Sequence, residues 1–184
     1  MLECLVPENQ TILDLRGYPV IDGIDSWLLG SPFARPPTEP IRLEWDPDTE
    51  GGKKNLYDAT IPLMHKGLLD ALQSGGIDNL DFYGVEIVHP ITGEIEREYS
   101  AVNVLGAIQA ADLAQSRFSD PSGRRRIDMD FDGLSISTAA TRDLLLFRLA
   151  ECVSGLVVHE LIKRHLESMG GFGLSFVNPE DWIG

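Results

Sequence analysis

The chain has 184 residues, with 29 Asp and Glu against 15 Lys and Arg and a formal net charge of −14. A hydrophobic share of 43 % and a charged share of 24 % exclude disordered and fibrous classes, and the length suits one domain over 1–184 that can bury a core without disulfides or a structural metal. The acidic balance argues against nucleic acid or an anionic membrane as a direct partner, since both are polyanions.

The first residues, Met1 to Glu8, lack a basic segment and are interrupted by Glu3, Pro7 and Glu8, so no secretory signal is expected there. No run reaches the ~18–20 apolar residues of a membrane span. Cys4 and Cys152 are too few for a disulfide framework and are expected as free thiols. A cytoplasmic protein is the expectation.

Residues 1–60 read as an irregular, proline-rich N-terminal part, with short strands at 10–15 and 41–45 and loops at 31–40 and 46–55. Residues 61–184 read as the α+β core. Met64, Leu68 and Leu72, with Leu69 and Ala71, predict a helix over 64–74 stopped by Gly75 and Gly76. Residues 80–88 and 95–106 predict the arms of a long hairpin around His89–Gly93. Glu94, Glu96 and Glu98, spaced by two, are then expected on one face of its second arm.

In residues 127–132 acids alternate with apolar residues. A half-buried strand is expected, with Asp128, Asp130 and Asp132 outward and Ile127, Met129 and Phe131 inward. The same run imitates the opening of a calcium loop, but Ala139 stands where the bidentate Glu is needed. Arg124, Arg125 and Arg126 are expected either to balance Asp128 and Asp130 or to be solvated.

Buried strands are expected at 144–149 and 156–158, then a helix over 159–169 and a closing strand at 174–177. His159 and His165 are six residues apart, about 240° around a helix, which does not suit a shared metal ion. His165 is instead expected at the core edge with one hydrogen bond. Arg148, inside the apolar run Leu144–Leu149, requires a partner, for which Glu151 or one of the strand acids is the expectation. Asn103, if inward, must be satisfied by backbone groups.

An offset of 94 places His65, Leu72, Ser74, Gly76, Leu80 and Phe82 on His159, Leu166, Ser168, Gly170, Leu174 and Phe176. Two readings remain open: a duplicated helix–strand unit, or the general likeness of any helix that stops at glycine before a strand. The fold expected is thus α+β, with antiparallel strands and two main helices, and a pseudo-duplicated unit on the first reading.

The hairpin segments 80–88 and 99–106, together with 111–116, 146–151, 157–160 and the Leu174-x-Phe176 ending, resemble one bacterial family. This is the myxobacterial-type immunity family, the eleventh in the series from polymorphic toxin systems. The resemblance covers about residues 60–178. It implies a non-enzymatic cytoplasmic protein, without a cofactor, that binds and neutralises a cognate toxin. The matching residues look structural, so no toxin site is carried over from it. The net charge points to a basic toxin, and the acidic rows Glu94/Glu96/Glu98 and Asp128/Asp130/Asp132 are the expected contact surface. Two other classes are weighed: an enzyme with a site near Arg148 and the histidines, and a structural component of a secretion apparatus.

Overall fold

A segment such as Ile41–Trp45, apolar at every second position, can bury one face of a strand and leave the other wet. It does so here: Ile41, Leu43 and Trp45 are buried, and Arg42 and Glu44 are exposed. The computed structural model describes Glu3–Cys4, residues 12–141 and residues 143–184. In chain order the elements are β1 (Glu3–Cys4), β2 (Leu15–Arg16), β3 (Ile41–Trp45), β4 (Leu56–Tyr57), β5 (Leu63–His65) and helix α1 (Lys66–Ser74). Then follow β6 (Leu80–Val88), β7 (Ile95–Glu96), β8 (Tyr99–Val104), β9 (Ala107–Ile108), β10 (Phe118–Ser119) and β11 (Asp130–Phe131). The chain closes with β12 (Leu146–Leu149), β13 (Leu156–Val158), helix α2 (Glu160–Ser168) and β14 (Leu174–Ser175).

The α+β class is as expected. The sheets, however, are mixed rather than antiparallel throughout. The larger runs β2-β3-β6-β8-β5-β4, with β7 also on β6, and the smaller runs β13-β12-β9. β3 pairs parallel with β6, and β9 pairs parallel with β12. The N-terminal part is therefore not an appendage, because β3 is an interior strand of the larger sheet. The expected strand at 10–15 reduces to β2 and a bridge from Ile12 to Gly52, while Gln10 and Thr11 lie outside the described residues. The segment 31–40 carries no helix or strand and is held by Phe33, which packs against Trp27 (ring centroids 4.8 Å apart) and Tyr83 (5.7 Å).

The first helix begins two residues later than its apolar spacing predicts. Met64 lies in β5, opposite Leu56 and Ser100, so its burial follows from sheet packing. His65 then caps α1, its Nδ1 accepting the Gly67 N–H at 3.1 Å. His159 caps α2 in the same way, accepting the Leu161 N–H at 3.1 Å. Both helices have nine residues and start 94 positions apart. After α1 the left-handed residue is Gly76 (φ 97°), and Gly75 stays right-handed. After α2 the left-handed conformation starts at Gly170 (φ 101°) and continues through Gly171, Phe172 and Gly173 to β14. Leu68, Leu72, Ile162 and Leu166 share one core with Val102 and Val104 of β8, Leu146 of β12 and Leu156 of β13, so the helices join the two sheets. A second core gathers Leu15, Trp27 and the inward residues of β3 under β6. A third surrounds Phe131, Phe147, Leu149 and Trp182.

Candidate partner interface

β10 and β11 pair antiparallel and present the row of aspartates. Asp128, Asp130 and Asp132 are exposed, and Met129 and Phe131 are buried, so the expected alternation is realised over these five residues. The regular strand itself covers only Asp130–Phe131, with single bridges from Asp128 to Cys152 and from Asp132 to Ile183. Ile127 departs from the expectation. It is 52 % exposed, with φ at 74°, a conformation that costs a β-branched residue on the order of 1–3 kcal/mol. The local cause is the turn before it. Asp120 accepts the Arg125 N–H (3.0 Å), and Ser122 Oγ donates to Asp128 Oδ1 (2.9 Å), which curls residues 120–128.

Those contacts also decide where the arginines go. Asp128 and Asp130 accept from Ser122 and Ser119, not from guanidinium groups. Among the described residues, Arg124, Arg125 and Arg126 form no ion pair, and all three are exposed. Of the two expectations, solvation is therefore met and balancing of Asp128 and Asp130 is not. Asp132 lies 3.7 Å from Arg117, an exposed pair worth about 0–1 kcal/mol.

The glutamates do not form the second acidic row. The pairing register moves by one residue between β7 and β8: Glu96 faces Ile87, but Ser100 faces Gly84. The extra residue makes a bulge at Arg97–Glu98, which breaks the period-two face. Glu96 itself builds the bulge, since its Oε1 accepts the N–H groups of Arg97 and Glu98, each at 3.1 Å. Its other oxygen takes Lys53 Nζ at 2.6 Å, and that hydrogen bond holds the carboxyl below its ordinary value. Glu94 sits before β7 and Glu98 in the bulge, both exposed. Nearby, Glu86 lies between Arg97 (2.8 Å) and Arg42 (3.5 Å). This end of the larger sheet thus alternates in charge.

Arg148 is 1 % exposed, and its partner is neither Glu151 nor a strand acid. It forks onto Asp58, Nη2 to Oδ1 at 2.5 Å and Nη1 to Oδ2 at 3.0 Å, and Nη1 also donates to the Val153 carbonyl at 3.1 Å. Asp58 stands between β4 and β5, so the pair ties the larger sheet to the smaller one. Asn103 is buried, and its Nδ2 donates to the Ser31 carbonyl at 2.8 Å, while Oδ1 has no partner. Glu151 makes no ion pair with Arg148; the backbone amides of Glu151, Ala111 and Ala110 act on its carboxylate instead.

Burial is the main influence on Glu151 and pushes its carboxyl above the ordinary value, against those amides and the field of Arg126. Its Oε2 has no partner. A folded-state pKa above the unfolded one means that the folded protein binds the proton more tightly. Glu151 therefore adds stability as pH falls from neutral through the folded pKa, and the gain is complete below the ordinary value of about 4.3. Glu151→Gln keeps an acceptor and removes the charge. It is expected to hold or raise the melting temperature at neutral pH, with the advantage shrinking toward about pH 5. Thermal melts of both proteins across that range test this, and a variant clearly less stable at neutral pH would contradict it.

His159 is occupied as a helix cap, and His165 Nε2 lies 3.1 Å from the Ala71 carbonyl and 3.0 Å from Ser74 Oγ, both on α1. His165 is thus a core-edge residue as expected, but it faces the other helix, while Leu161 and Met169 are mostly exposed. Among the described residues no three His, Cys, Asp or Glu side chains gather as metal ligands. No helix among them is long and apolar enough to cross a membrane. Among the described residues, grooves open to solvent include one of about 420 Å³ along Pro36–Arg42, one of about 550 Å³ beside Arg117 and Pro179, and one of about 770 Å³ between Leu29, β9 and Ile127. Neither Arg148 nor a histidine lines any of the three. No protein-family model matches the sequence, and no curated protein matches it.

Proposed function

We propose that this chain is a cytoplasmic immunity protein that binds a cognate bacterial toxin and neutralises it by occupying a surface the toxin needs. The support from sequence is the ordered set of blocks that resemble the immunity family. In the fold most of those blocks fall on β6, β8, β12, β13, the start of α2 and β14, which are scaffold elements, while 111–116 forms a bridge and a turn. Such a scaffold leaves recognition to exposed segments between the blocks. The observation that carries the reading is the row Asp128, Asp130 and Asp132, anchored by buried Met129 and Phe131, in which Asp128 and Asp130 make no ion pair among the described residues and Asp132 makes only an exposed one with Arg117. A fixed row of carboxylates suits a basic toxin, chiefly by raising the association rate and the selectivity. Glu94 and Glu98 form at most a secondary patch, because Glu96 is tied to Lys53. The same proposal takes the two His-capped helix–strand units as copies of one ancestral unit.

The test begins with the neighbouring open reading frame. Its product should be toxic alone and harmless when co-expressed with this protein; a harmless neighbour, or one not neutralised, would end the reading. With the pair in hand, Asp130→Lys/Asp132→Lys should slow association about tenfold or more and flatten its salt dependence. Unchanged association would remove the aspartate row from the interface while leaving neutralisation itself standing.

A further inference from the structure

The groove between Leu29, β9 and Ile127 has a construction that the acidic row does not explain. Its floor includes β9, the edge strand of the smaller sheet. The carbonyls of Gly106 and Ile108 bond to the Arg148 and Ala150 N–H groups of the β12 side. Backbone groups alternate in direction along a strand. Ala107 and Gln109 therefore aim their N–H and C=O groups away from β12. Gly30 backs onto the Ala107 amide; a Cβ there would come within 2.4 Å of it. The open edge thus begins at the Ala107 carbonyl and runs to Gln109, which makes no hydrogen bond among the described residues. Leu29 and Ile127, 42 % and 52 % exposed, form the apolar walls, and Arg126 lines the rim next to Arg125 and Arg124. An apolar centre rimmed by arginine, beside an unpaired strand edge, has the composition of a recognition site.

We infer that this groove receives an extended acidic segment of a partner protein, which adds as a strand beside β9 with its carboxylates on Arg124–Arg126. Main-chain bonds at Ala107 and Gln109 would set its register, and apolar side chains would fill the space between Leu29 and Ile127. Charge decides the occupant. The three guanidinium groups are exposed without an ion pair, and Arg126, which lines the groove, can exchange its water for a partner's carboxylate. Asp120 and Asp128 of the same turn are held by the Arg125 N–H and by Ser122, and the field of more distant acids is screened beyond about 8 Å at physiological salt. A basic segment, by contrast, would meet the like charge of Arg126 at the rim. This inference does not depend on the toxin reading, since it concerns the groove beside β9, which adjoins the Asp128–Asp132 row but is not lined by it.

The probe is a short capped peptide alternating glutamate and valine, fluorescein-labelled and titrated with the full chain. Saturable anisotropy is expected, with no binding of the peptide alternating lysine and valine. N-methylation on the bonding edge of the acidic peptide should weaken binding about tenfold or more, since it removes the main-chain donors. R124E/R125E/R126E should weaken it similarly. Arg126→Glu alone, with circular dichroism unchanged, guards against a misfolded triple variant. Absence of saturable binding, equal binding of the lysine peptide, or indifference to either arginine variant would overturn the site. Indifference to N-methylation would overturn strand addition.

Discussion

Replacing Arg148 with methionine is expected to destabilise the protein by about 3–5 kcal/mol, the usual cost of breaking a buried ion pair from one side. The guanidinium is 1 % exposed and forks onto Asp58, so its removal leaves that carboxylate and the Val153 carbonyl without their donor. The Asp58 side chain keeps 26 % of its exposure, and water that reaches it should place the loss toward the lower end of the range. Asp58→Ala is the harsher change. It strands a cation in a site with almost no access to water, with only the Val153 carbonyl left to it. The double variant R148M/D58A should therefore lose less than the sum of the two single losses, by about 1–3 kcal/mol. Urea denaturation of the four proteins reads this directly. Single losses below about 1 kcal/mol, or strict additivity, would show that the pair does not hold the two sheets together.

The need for that pair was legible in the sequence, but its other half was not. A lone arginine among Leu144–Leu149 signals a buried charge, yet nothing local marks Asp58, which is 90 residues away and lies in an unremarkable turn. Period-two patterns behaved similarly. Around Asp128–Asp132 the alternation read burial correctly because Met129 and Phe131 anchor one face. It failed at Ile127, where the side chains of Asp120 and Ser122 decide the backbone. Along Glu94, Glu96 and Glu98 it failed because Glu96 folds back on two amides and inserts a bulge, which a spacing rule cannot see. The start of α1 was misread because Met64 is buried in β5, where it looks the same as a helical apolar position. Histidine is not among the favoured capping residues, so neither cap was evident alone. The recurrence of His65 at His159 was the signal that could have found both. The groove beside β9 had no sequence signature, because it is made by Leu29, Gln109 and Ile127 from three separate segments.

Leu72→Ala and Leu166→Ala are each expected to cost about 2–5 kcal/mol, since both side chains are completely buried and would leave cavities in the core that joins the helices to the sheets. The pair also tests whether the two helices hold equivalent places. The residues stand 94 positions apart, each in a nine-residue helix capped by a histidine and each in the same core. If the units are copies that still carry the core together, the two losses should agree within about 1 kcal/mol, and the double variant should be non-additive because neighbouring cavities relax together. The histidine at 165 sharpens the comparison. Through Ala71 and Ser74 it fastens α2 to the end of α1, so loosening either helix should loosen the other. A small loss for Leu166→Ala beside a large one for Leu72→Ala would instead make α2 a cover on a core organised by α1. The sequence likeness between the two segments would then reflect only the shared demands of a helix that stops at glycine before a strand.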